Sequence, residues 1–174
     1  MSALSIFYLV LPFPLAFILH DAEEVNVQHG WMLRHQDNLS KKFPKLRPMI
    51  QHLLKLNTKG FALAALEELL VLLLATCYVL IQGAYCMELW SALFMAFTLH
   101  QLMHILQAVI VRGYVPGLVT SLLLLPYSYF GIQSIWYAMS GIGMLLWGIG
   151  GVAFMVVNLR FAHWLGTRIF PIHA

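Results

Sequence analysis

Long apolar runs separated by short polar stretches set the pattern of this chain. A helix that crosses a bilayer needs about 20 mostly apolar residues, and five windows of that kind occur, at about 4–27, 60–82, 88–111, 115–136 and 138–162. The pattern predicts an all-α fold: one transmembrane domain over residues 1–174, built as an integral membrane bundle of about five transmembrane helices. The first window is apolar from Ala3 to Leu19 and turns polar at His20. It has no basic start and no small-residue cleavage site, so it reads as a span rather than a cleaved signal peptide. Pro12 and Pro14 are expected to kink it. Pro116 lies near the first turn of the fourth window, where a missing N–H costs nothing, and Pro126 is expected to bend its middle. The fifth window carries Gly141, Gly143, Gly148, Gly150 and Gly151, small residues that let a neighbouring helix come close.

Composition turns this pattern into a statement about solvent. Hydrophobic residues make up 61% of the chain and charged residues 10%, with a mean hydropathy of +0.80. A soluble domain is about 45–50% apolar and about 25% charged. The excess cannot hide inside a core of 174 residues, so much of it faces lipid. Nucleic-acid binding, secreted disulfide scaffolds and disordered chains are excluded. Cys77 and Cys86 make neither a disulfide framework nor a CxxC metal spacing, and read as small apolar residues.

The basic residues supply an orientation. Arg34, Lys41, Lys42, Lys45, Arg47, Lys55 and Lys59 lie between the first and second windows, Arg112 between the third and fourth, and Arg160 and Arg168 at the end. With five spans all of them fall on one side, which the positive-inside rule makes cytoplasmic. The N-terminus is then outside and the C-terminus cytoplasmic, with a bacterial inner membrane the expected location. The cytoplasmic basic loop runs over about 30–59, and its Leu46–Leu56 stretch is expected to form a short helix on the inner leaflet. Headgroup recognition by that loop is a secondary reading.

Ionisable residues inside spans are costly and point to function. Here they form a layer. The first window ends in His20-Asp21-Ala22-Glu23-Glu24, the second contains Glu67 and Glu68, and the third contains His100 and His104. Each group lies about eight residues from the cytoplasmic end of its span, roughly 12 Å deep at about 1.5 Å per residue. His20 shares a helical stripe with Glu23 and Glu24, and His100, His104 and Gln107 share one face of the third span. Glu67 and Glu68 are separated by about 100° around their helix, so only one faces the centre squarely. Asp21 points away from Glu23 and is a weaker candidate.

Nitrogen and oxygen donors without nearby thiolate suit zinc, iron or manganese. A single catalytic zinc takes about three protein ligands. The surplus here suggests two divalent ions, or one ion with a general base and supporting groups. The expected metal ligands are His20, Glu23, Glu24, Glu67, His100 and His104, with Glu23 and Glu24 as catalytic candidates. Glu68, Gln107 and Tyr114 are weaker ones. His100-Gln101-Leu102-Met103-His104 has the spacing of an HExxH zinc motif, but glutamine stands where the catalytic glutamate would be.

His20-Asp21-Ala22-Glu23-Glu24 resembles the signature of the HXXEE-motif family of integral membrane proteins. That family also shows a further histidine and a Tyr-x-Pro-Gly motif. Tyr114-Val115-Pro116-Gly117, ten residues after His104, looks like the matching pair. The resemblance implies an integral membrane protein in which His20, Glu23, Glu24 and His104 belong together, without naming a reaction. Tyr114 also reads as an interfacial anchor at a tight turn.

The resulting expectation is a membrane-embedded metalloenzyme with a dinuclear His/Glu site, iron or zinc, acting on a lipid-like hydrophobic substrate, with oxidation favoured. The first alternative is a zinc-dependent intramembrane hydrolase. The second is proton or metal-ion transport, or a purely structural polar network. The expected partners are the bilayer and a hydrophobic small molecule, with an oligomer or partner subunit on the glycine-rich fifth helix as a further reading.

Overall fold

The computed structural model of the chain describes residues 6–172. Among these residues there are six α-helices and no strand: α1 (Pro12–Lys42), α2 (Arg47–Leu54), α3 (Thr58–Leu80), α4 (Cys86–Val111), α5 (Leu118–Ala138) and α6 (Gly141–Ile169). A π-helical turn over Ile6–Val10 precedes α1, and a 3₁₀ turn over Pro44–Leu46 links α1 to α2.

Local sequence explains where the helices start and stop. Pro12 and Pro14 fall in the first turn of α1, where an absent N–H has no intrahelical partner to lose. They open the helix instead of kinking it, which corrects the expectation. Nothing breaks the helix at His20 or in the supposed loop. Gly30 alone is tolerated, so α1 continues to Lys42 and stops before Pro44, which disfavours helix in the residue preceding it. Half of the expected basic loop is therefore helix, and α2 occupies most of the stretch read as a short helix. Asn57 caps α3 by accepting Gly60 N–H at 2.8 Å, and Ser140 caps α6 by accepting Gly143 N–H at 3.1 Å.

Four helices, α3, α4, α5 and α6, are long and apolar enough to cross a membrane. Their outer faces stay apolar: Leu74 is 63% exposed, Leu123 66%, Leu146 63% and Val157 68%. A surface of that kind is solvated by lipid tails. The helix α1 pairs an apolar first half, with Leu15 and Ile18 turned outward, with a polar second half.

Small residues set the closest helix crossings. A Cβ on Gly60 of α3 would lie 2.9 Å from the carbonyl oxygen of Gly166 on α6, and one on Gly151 would collide with the backbone of Ala92 on α4. Gly151 thus performs the close-approach role expected of the glycine-rich helix, whereas Gly141 and Gly150 meet nothing. An aromatic cluster fills one part of the interior, with Phe13 5.2 Å from Phe94 and Trp90 4.8 Å from Phe94, centroid to centroid. A second cluster joins Trp31, Met32, Ile50 and Val115. There Trp31 Nε1–H donates to the Tyr114 carbonyl at 3.0 Å, tying the long α1 to the α4–α5 turn. The polar site lies beside the aromatic cluster, with His20 edge-on to Phe97 at 5.8 Å.

Candidate metal centre

Two one-turn spacings face each other. On α1, His20 and Glu24 stand four residues apart, and on α4 so do His100 and His104, so each pair projects from one stripe of its helix. Packing brings the stripes together. Nitrogen or carboxylate atoms of His20, Glu24, His100 and His104 all lie within 4.8 Å of one another. Glu24 sits in their midst: Oε1 is 3.4 Å from His104 Nε2, and Oε2 is 3.5 Å from His100 Nε2 and 3.8 Å from His20 Nε2. His100 Nε2 and His104 Nε2 are 3.0 Å apart. Two nitrogens bound to one ion at about 2.0–2.1 Å are separated by roughly that distance or a little more. Burial completes the setting: His20 is 0% exposed, His104 7% and Glu24 8%.

The structure also fixes which nitrogen of His20 is free. Thr120 Oγ1 donates to Glu23 Oε2 at 2.6 Å, which uses its one proton. The same oxygen is 3.0 Å from His20 Nδ1 and must accept there. His20 therefore carries its proton on Nδ1, leaving the Nε2 lone pair inside the cluster, where that atom is buried with no hydrogen-bond partner. A ring held through one nitrogen and open at the other is the arrangement that orients a metal-ligating histidine. The four side chains can hold a divalent ion of the kind that accepts imidazole and carboxylate.

Glu23 does something else. Its carboxylate accepts Tyr114 O–H at 2.7 Å and Val119 N–H at 3.3 Å on Oε1, and Thr120 N–H at 2.8 Å on Oε2 in addition to the Thr120 hydroxyl. Val119 and Thr120 open α5, and the residue in front of that helix is Gly117, which has no side chain to cap it. Glu23 reaches across from α1 to satisfy these orphan N–H groups, with its charge at the positive end of the α5 dipole. Gly117 has φ +81°, and a Cβ there would stand 2.9 Å from His104 Nδ1 and 3.0 Å from His20 Cε1. Only glycine meets both conditions. Desolvation of the Tyr114 phenol and its hydrogen bond to Glu23 push its pKa above the ordinary value of 10.

The other sequence candidates lie outside the four-residue group. Glu67 accepts Asn158 Nδ2–H of α6 at 3.1 Å. Gln107 is exposed. Gln101 faces α5, where Ser128 O–H donates to its side-chain oxygen at 2.5 Å. Glu68 and Asp21 line a cleft between α1, α3, α4 and α6, which Glu24 and His100 border. Its walls are largely Phe, Leu, Val, Ala and Met, and α6 adds Asn158 and His163. Sequence reasoning missed Thr120 and His163. A hydroxyl three residues after Gly117, at the start of a helix, was the available signal for the first. A lone histidine late in an apolar helix was the signal for the second.

No curated protein and no solved structure matches the chain. A family described as proteins of unknown function with an HXXEE motif matches residues 11–131, a stretch that holds the four clustered residues together with Glu23, Tyr114, Gly117 and Thr120. That match spans well over half of the sequence, and the chain belongs to the HXXEE-motif family.

Proposed function

We propose that this protein is a membrane-embedded metal-dependent hydrolase that holds one divalent ion on His20, His100 and His104, with Glu24 beside it, and acts on a hydrophobic, lipid-like molecule lying in the cleft. One observation carries the reading: the four-residue cluster borders an apolar cleft through Glu24 and His100. A buried polar cluster opening onto an apolar pocket is the usual form of a small-molecule site. The first half of α1 would complete a five-span bundle, with the N-terminus outside and the C-terminus cytoplasmic.

The two-ion expectation rested on a surplus of donors, and the positions of Glu23 and Glu67 support one ion instead. Three imidazoles and a water form a familiar catalytic zinc sphere, and zinc supplies a nucleophile near neutral pH by acidifying that water. The chain's own part follows from the geometry. Glu24, within reach of all three imidazoles, accepts the proton. The phenylalanine-lined cleft holds the hydrocarbon and excludes bulk water. Thr120 keeps His20 in the tautomer that binds.

A second reading, oxidation at iron, is favoured by the short His100–His104 nitrogen separation, which suits ligands at about a right angle. Elemental analysis of the detergent-purified protein separates the two. About one equivalent of zinc supports the hydrolase and about one of iron the oxidation. Metal absent from the wild type, or fully retained in both His20→Ala and His104→Ala, overturns the proposal.

A further inference from the structure

Beside the four clustered donors the cleft carries further polar side chains. In the bundle interior, Glu23, Glu24, Glu67, His20, His100 and His104 each have a polar partner at a stated distance. Among the described residues that line the cleft, the side chains of Asp21, Glu68 and His163 make no hydrogen bond or ion pair. His163 is only 9% exposed, and its ring centroid lies 5.8 Å from those of both His52 and Phe61. A buried polar side chain without a partner is costly unless a bound group supplies one. His163 of α6 is such a group, and the half-buried carboxyls of Asp21 and Glu68, from α1 and α3, line the same cleft.

The sign of that space is equally informative. Asp21, Glu24 and Glu68 line the cleft, and no Lys or Arg does. Beside Asp21 and Glu68 a carboxylate or phosphate headgroup would meet acidic side chains, with no Lys or Arg side chain in the lining to pair with it. An ammonium group would meet two carboxyls and could donate to them and to the His163 ring. The rest of the wall, including Phe13, Phe17, Phe61 and Phe97, suits a hydrocarbon chain.

We propose that the cleft takes a long-chain amine or an amine-bearing lipid, with its ammonium group between Asp21 and Glu68 and its hydrocarbon among the phenylalanines. The proposal rests on the reading of the adjacent cluster as a catalytic metal centre, since it names the substrate class of that centre. The two carboxyls act in recognition, not in the chemistry.

The test measures the Tm of the full-length, detergent-purified protein with octylamine, octanoate or octan-1-ol at equal concentration, together with its metal content. Octylamine should raise the Tm by several degrees, as a ligand of the folded state does, and the other two should not. The rise should disappear in Asp21→Asn and in Glu68→Gln, with metal content unchanged. An equal rise with octanoate, no rise with octylamine, or a rise that survives both substitutions overturns the proposal. Metal-free wild type that still answers octylamine supports the amine site and refutes the metal centre. Metal-loaded wild type that ignores octylamine does the reverse.

Discussion

Glu23 of α1 accepts the backbone N–H of Thr120 at 2.8 Å and its hydroxyl at 2.6 Å on the same carboxylate oxygen. This pair is the joint between the two halves of the site. It closes the N-terminus of α5 and sets the proton position on His20, so one acidic residue supports both helix packing and ligand orientation.

Thr120→Val should therefore weaken metal binding without removing a ligand. Loss of an orienting partner costs about 10–100-fold in affinity, which a zinc titration against a competing chelator would measure. Glu23→Gln should give a smaller loss, because its amide keeps one acceptor for Thr120. An unchanged affinity in Thr120→Val would refute the orienting role.

His104→Ala and Glu67→Gln should behave oppositely. The first removes a buried member of the cluster and should abolish bound metal. The second touches a residue engaged with Asn158 and should leave metal content at wild-type level. Equal losses in the two variants would return Glu67 to the ligand set.

Gly117→Ala should lower both stability and metal affinity. The left-handed backbone alone costs an alanine about 1–2 kcal/mol, and its methyl group would press on His104 and His20. Thermal unfolding and metal content of the same preparation check both effects.

Metal binding should fall steeply in acid. Imidazoles must be unprotonated to bind, and their ordinary pKa is about 6.5. The apparent Kd should therefore rise as pH falls and imidazole protons have to be displaced by the ion. A flat pH dependence would argue that the histidines are not ligands.

Tyr114 titrates in the opposite sense. Its raised pKa means that the neutral phenol is the form the fold favours. The contribution is present below the unfolded value of about 10 and is lost as pH rises through the higher folded value. Ultraviolet titration should show late tyrosine ionisation, and Tyr114→Phe should reduce its amplitude by one group.

Much of the molecule is legible in the chain itself. The apolar windows foretell α3 to α6, because a helix that must satisfy its own backbone in lipid needs length and apolarity and little else. The one-turn spacings of His20 with Glu24 and His100 with His104 are likewise written in the sequence, since helical periodicity places each pair on one stripe. Family membership follows from the same short motifs.

Only the tertiary structure decides which acid joins which partner. Glu23 and Glu24 are adjacent and chemically identical, yet about 100° of helical rotation sends one to the N-terminus of α5 and the other among three imidazoles. Glu67 and Glu68 divide in the same way, one towards Asn158 and the other into the cleft. The course of α1 through the supposed loop, from about residue 30 to Lys42, was hidden as well, because polarity marks where a helix leaves lipid but not where it stops. Thr120 and His163 came to the site by packing, since no local pattern records which residues of distant helices will meet.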